Sequence, residues 1–139
     1  SRPLLLDGYK FDMRIYVLLE SLTPLRAYVF RDGLARLCTE KYTAPKEENI
    51  QNPFIHLTNY HLNKANQNFK HANTMEDMKT SSKRSISIAL NQLQMSRAEI
   101  DSFWKQVDEI VSKTLIALWP SLWSSYNRVV GENKNSGPK

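Results

Sequence analysis

Polar and apolar residues alternate from Tyr9 to Glu20: Phe11, Met13, Ile15, Val17 and Leu19 fall on one side, and Lys10, Asp12, Arg14, Tyr16 and Glu20 on the other. Neighbours along a strand point to opposite faces, so this spacing predicts a β-strand over residues 9–20. One of its faces is apolar and the other carries a plus, minus, plus row. Such a row suits a solvent-facing edge strand, or equally a charged sheet floor that orients a polyanion such as a nucleotide triphosphate. Ser21-Leu22-Thr23-Pro24 then reads as a turn. Residues 25–30 alternate again as a second strand. Asp32-Gly33 is a turn dipeptide, and residues 34–39 return as a third strand, which predicts a hairpin closed at Asp32-Gly33.

After this the pattern changes. Residues 41–53 are polar with two prolines and read as a surface loop, 54–62 as an extended or irregular segment, and 63–82 as a mobile loop with few apolar anchors. Ile86, Ala89, Leu90 and Leu93 share one helical face, with the serine pair before Lys83 as the start of that helix. Ser96-Arg97-Ala98-Glu99 is a capping box. It opens a longer helix whose stripe runs through Ile100, Phe103, Trp104, Val107, Ile110, Val111, Leu115 and Leu118 to Trp119, where Pro120 stops or kinks it. The stripe reads as a buried face packing on the sheet. The fold class is α+β: an antiparallel sheet of at least three strands packed by C-terminal helices, in one domain over residues 1–130 with 131–139 as a disordered tail.

Composition narrows the function classes. The net charge of +5 is spread along the chain, without the basic block of a nucleic-acid arm. It suits an acidic partner through long-range attraction. No apolar run approaches the roughly 20 residues that span a bilayer, so neither a membrane nor a nucleic acid is expected as a partner. The single cysteine, Cys38, is expected to be buried and cannot form an intrachain disulfide. A reducing, cytoplasmic setting follows as an expectation. His56 and His61 lack a companion cysteine or carboxylate motif, so no metal site is expected in this chain.

Three segments in register carry a resemblance: Asp7-Gly8-Tyr9-Lys10-Phe11-Asp12-Met13-Arg14-Ile15-Tyr16-Val17, then Phe30-Arg31-Asp32-Gly33-Leu34-Ala35-Arg36, then His56-Leu57-Thr58-Asn59-Tyr60. Together they resemble the tubulin tyrosine ligase-like family, in particular the branch that adds glutamate to glutamate side chains of tubulin tails. The resemblance implies the central part of an ATP-grasp domain and an ATP-dependent ligase that works through an acyl phosphate. It places Lys10, Asp12, Thr58 and Asn59 at the nucleotide, with Arg14 as a further phosphate contact or else a structural partner of Asp12. It places Arg31, Tyr60 and Lys83 at the incoming amino acid, with Arg84 adjacent to Lys83 in the same motif.

The cofactors implied are ATP and Mg²⁺, and the magnesium ligands are expected on a later strand outside this chain. A glycine-rich phosphate lid is expected upstream, and the fragment alone is therefore expected to be inactive. Implied partners are tubulin C-terminal tails on microtubules and free L-glutamate, in the cytoskeleton and in a cilium or basal body. Two alternatives stand beside this reading: a glycylase of the same family, and a non-catalytic microtubule-binding module.

Overall fold

Two Asp-Gly pairs occur in the chain, and the fold uses them differently. Strands β1 (Leu5–Leu6) and β2 (Tyr9–Leu22) pair antiparallel, Leu6 opposite Tyr9, around Asp7-Gly8. Asp7 at φ +53° and Gly8 at φ +84° give the two left-handed positions that a tight two-residue hairpin needs. Asp32-Gly33 instead lies inside one continuous strand, β3 (Leu25–Leu37), so the predicted second and third strands are a single element. The turn between β2 and β3 is the Thr23-Pro24 segment, whose peptide bond is cis. A Cβ at Gly33 would lie 2.2 Å from the backbone oxygen of Arg14. Glycine serves there for a close approach of two strands, not for a turn.

Antiparallel pairing of β3 with β4 (Lys83–Ser85) completes a four-stranded sheet in the order β1-β2-β3-β4. The computed structural model describes residues 2–72, 74 and 77–135. Two short helices, α1 (Pro53–His56) and α2 (Tyr60–Asn63), occupy the segment expected to be irregular. Each is capped by the asparagine before it: Asn52 Oδ1 accepts from Phe54 N and Asn59 Oδ1 accepts from His61 N. A 3-10 turn covers Asp77–Lys79 within the stretch expected to be a loop.

The helix after β4, α3 (Ile86–Gln92), starts one strand later than the serine pair suggests. Its cap is Ser85, whose Oγ accepts from Ile88 N, and Asp32 Oδ1 adds a bond from Ser87 N. Ala89 packs with Leu6, Ala35 and Leu37 in the core, with Tyr9, Phe11 and Leu93 around them. Ile86 is also fully buried.

Helix α4 (Arg97–Asn135) begins at the expected capping box: Ser96 N and Oγ donate to Glu99 Oε2, and Glu99 N donates back to Ser96 Oγ. The same bonds hold the Glu99 carboxyl below the usual carboxylate range. The helix runs through Pro120, so the proline does not stop it. The turn carbonyl that Pro120 cannot bond belongs to Ile116, an exposed residue where water can serve. Residues 131–135, assigned to a disordered tail, continue α4; residues 136–139 lie outside the described residues.

The chain divides into two compact units. One comprises residues 1–16 and 31–100; the other comprises the hairpin tip, residues 17–30, and residues 101–139. Within the second unit the Trp119 indole donates to Leu22 O at 2.8 Å, and Trp119, Trp123 and Tyr126 stack in sequence. The apolar stripe of α4 is not a buried face. None of its described side chains is buried, and Ile110 and Leu118 are exposed at 65% and 49%.

Candidate active site

Strand alternation on β2 carries Lys10 and Asp12 to one face, and each meets a partner from another segment. Lys10 Nζ donates to the carbonyl of His56 at 2.8 Å, tying β2 to the segment that leads into Thr58, Asn59 and Tyr60. The Asp12 carboxylate receives both ends of the Arg36 guanidinium across the sheet: Nε donates to Oδ1 at 2.8 Å and Nη2 donates to Oδ2. That fork raises the arginine's pKa further. The partner of Asp12 is thus Arg36, not Arg14. Arg36 sits at the end of the second family-like segment and was not among the expected site residues. Its partner lies 24 residues away, so no local pattern marks it.

A second cluster of side chains gathers around the Tyr60 ring. Lys83 Nζ stands 3.3 Å from the centre of the Tyr60 ring, and Lys64 Nζ is 5.8 Å from it. A cation over a tyrosine face is held by about 0.5–2 kcal/mol. Phe69 packs edge-on against Tyr60 at 5.7 Å. Alternation along β4 separates the two adjacent cations: Lys83 is half-buried on the Tyr60 side. Arg84 is buried, donating to Asp7 Oδ2, Gln92 Oε1 and Ser81 O. Lys83 thus keeps its ammonium over the Tyr60 ring, whereas Arg84 is committed to contacts within the fold.

Thr58 is half-buried between α1 and α2, and Asn59 spends its side-chain oxygen on the α2 cap. Arg14 and Arg31 are exposed on β2 and β3. Arg31 lies within β3 and not at a strand end, because the chain does not turn at Asp32-Gly33. So the structure joins Lys10 to the 56–60 segment and Lys83 to Tyr60, and Arg14 and Arg31 take part in neither contact.

The 57–60 backbone owes its shape to a residue outside every expected motif. Asn63, 1% exposed, accepts from Thr39 N and Oγ1 at 2.9 Å. Its amide donates to the carbonyls of Leu57 and Asn59 at 2.6 and 3.0 Å. Removing the side chain would strand the buried N–H and hydroxyl of Thr39, at roughly 1–3 kcal/mol for each group left without a partner, and would free the part-buried Leu57 carbonyl. Asn63→Ala is expected to lower the stability of the chain by about 2–4 kcal/mol. Asn63→Asp is expected not to restore it, because a carboxylate would face two carbonyls. Urea unfolding of the three proteins checks this, and an Asp variant as stable as wild type would refute the assignment.

Cys38 lies behind this face, 2% exposed, with its backbone N–H donating to Lys10 O. Burial pushes its thiol up to about 11; Lys10 opposes the shift and Asp12 adds to it. A raised folded pKa means that the stability belonging to the protonated thiol is present below the ordinary value of about 8.5 and is lost as pH climbs towards 11. The expected result is slow labelling by a thiol reagent at pH 8 in the folded chain, with fast labelling in denaturant. Equal rates in both would disprove the burial.

The family model described as "Tubulin-tyrosine ligase family" matches residues 1–136, and the chain belongs to that family. It is 46% identical over 121 residues to tubulin polyglutamylase TTLL11 of Homo sapiens, covering 87% of this chain and 17% of that protein. To tubulin polyglutamylase TTLL7 of Mus musculus it is 43% identical over 126 residues, 91% of this chain and 14% of the relative. To tubulin polyglutamylase ttll-11 of Caenorhabditis elegans it is 42% identical over 125 residues, 89% and 18%. The chain thus spans less than a fifth of the length of these curated relatives.

Among the described residues no helix is long and apolar enough to cross a membrane, and no group of three or more His, Cys, Asp or Glu could hold a metal.

Proposed function

We propose that this chain is part of the catalytic domain of an ATP-dependent ligase that adds glutamate to glutamate side chains of tubulin C-terminal tails, in the cytoplasm on microtubules, including those of cilia. The observation that carries the reading is the convergence of β2, the 56–60 segment and β4 through the Lys10–His56 and Lys83–Tyr60 contacts. Family membership and the polyglutamylase names of the relatives support the same choice.

ATP would supply the phosphoryl group that activates the acceptor carboxylate as an acyl phosphate, with Mg²⁺ neutralising the phosphates through ligands outside this chain. The donor set fits a polyphosphate. Lys10 uses one of its three N–H bonds on His56 O and keeps the others for phosphate oxygens. Arg36 fixes the Asp12 carboxylate, which leaves its outer lone pairs for a ribose hydroxyl or an amine. Thr58 and Asn59 border the nucleotide, with Arg14 as a further phosphate contact.

On the other side, Lys83, oriented by Tyr60, and Arg31 hold the carboxylates of free glutamate. The neutral glutamate amine then attacks the acyl carbon, phosphate leaves with the bonding pair, and the nitrogen's surplus proton passes to the departing phosphate, which leaves an amide. Catalysis rests on positioning and fixed charge, with no covalent enzyme intermediate.

The test is incorporation of labelled glutamate or glycine into tubulin by the full-length protein with ATP and magnesium. Glutamate incorporation that depends on Lys10 and Arg31 is the expected result. Glycine alone would establish a glycylase. Tubulin binding without incorporation, unchanged by ATP or by Lys10→Ala, would establish a non-catalytic module.

A further inference from the structure

The Asp7-Gly8 turn borders a cavity of about 290 Å³ in the first unit, on the side of β2 to which Tyr9 points and from which Lys10 is turned away. Its lining includes Lys41, Lys70, Arg84 and Ser82, and Asp7 is the only carboxylate among the described residues that line it. Three cations against one acid leave two positive charges. Asp7 is already spent on Arg84, at 2.7 Å, so the two charges left to a ligand are those of Lys41 and Lys70.

The fold places the backbones of both lysines at the rim of the cavity, and both side chains are exposed. The stem of Lys41 lies over Gly8, with Cδ 3.7 Å from where a Cβ would stand, and the following residue bonds Gly8 O through Tyr42 N. Lys70 is fixed by its backbone at both ends: Ser82 N donates to Lys70 O, and Lys70 N donates to Ser82 Oγ. Accepting that bond leaves the Ser82 hydroxyl its own proton to donate. Ser81, Ser82 and Thr39, which also line the cavity, are buried polar residues, as is Arg84. Lys41 and Lys70 also line a neighbouring cavity of about 550 Å³. That cavity adds Glu40, which accepts from the neutral amides of Asn52 and Asn66 and keeps its negative charge.

We propose that the cavity beside the Asp7-Gly8 turn is a binding site for a phosphate dianion, held by Lys41, Lys70 and the Ser82 hydroxyl. Two uncommitted ammonium groups match a group carrying close to two negative charges at neutral pH, which a single carboxylate does not. The site is separate from the proposed nucleotide residues, and its source is either free phosphate or a phosphomonoester.

Calorimetric titration of the intact protein with inorganic phosphate, and separately with a phosphoserine peptide, tests it. Saturable binding at 0.15 M salt is expected in at least one arm, and the arm that saturates identifies the source. Loss of each lysine is expected to weaken binding about tenfold, and Lys41→Ala/Lys70→Ala about a hundredfold. Lys10→Ala should leave the affinity unchanged, which separates this site from the nucleotide. Lys41→Gln and Lys70→Gln, with a thermal melt for each, exclude unfolding as the cause of any loss. Absence of binding in both arms, or binding lost with Lys10→Ala and kept in the double variant, would overturn the proposal.

Discussion

Lys10→Ala is expected to lower ATP-dependent glutamate incorporation by about 10²–10³-fold, the range typical when one preorganised donor is taken from a reacting centre. The loss has two physical parts. The ammonium no longer offers charge to phosphate, and the His56 carbonyl loses the bond that ties the 56–60 segment to β2. Lys10→Met, which keeps the stem, should be as inactive as Lys10→Ala. Both should unfold within about 1–2 kcal/mol of wild type, because one half-buried hydrogen bond contributes little net stability. Turnover within tenfold of wild type by a folded Lys10→Ala protein would remove Lys10 from the site.

Gly33→Ala is expected to destabilise the chain by about 3–5 kcal/mol, more than any surface change. The added methyl would meet Arg14 O at 2.2 Å and Ile86 Cδ1 at 3.0 Å. The first obstacle is backbone, which cannot rotate away, so β2 and β3 must separate just where they carry Asp12 and Arg36. Gly8→Ala is the matched comparison. It meets only the flexible stem of Lys41 at 3.7 Å and bears mainly the strain of a positive φ, about 1 kcal/mol. Denaturant midpoints of the two variants decide the matter, and equal losses would contradict the close approach at Gly33.

Much of the fold can be read from the sequence where a local rule acts alone. The period-2 alternation of residues 9–20 became β2, and the capping box at Ser96 became the start of α4. The reading failed where two sites carry the same local signal. Asp32-Gly33 looks like a hairpin turn, but it is Asp7-Gly8 that turns, and nothing within four residues of either pair distinguishes them. The difference lies in Arg14 and Ile86, far away in sequence, which leave room only for hydrogen at Gly33.

The candidate site divides in the same way. Lys10, Asp12, Tyr60 and Lys83 stand in recognisable segments. Asn63 and Arg36 do their work through partners 24 residues away, and no pattern along the chain marks them.

The order in which the core receives its parts has a consequence for biosynthesis. Leu6, Ala35 and Leu37 leave the ribosome well before Ile86 and Ala89, and the open edge of β3 waits for Lys83–Ser85. At about 5–20 residues per second that interval lasts seconds, far longer than collapse of a chain this size. During it the nascent polypeptide presents an unpaired strand edge beside uncovered leucines, the feature that holdase chaperones recognise and that drives premature association. Whatever shelters β3 and its leucines until β4 and α3 arrive is expected to raise the yield of folded chain.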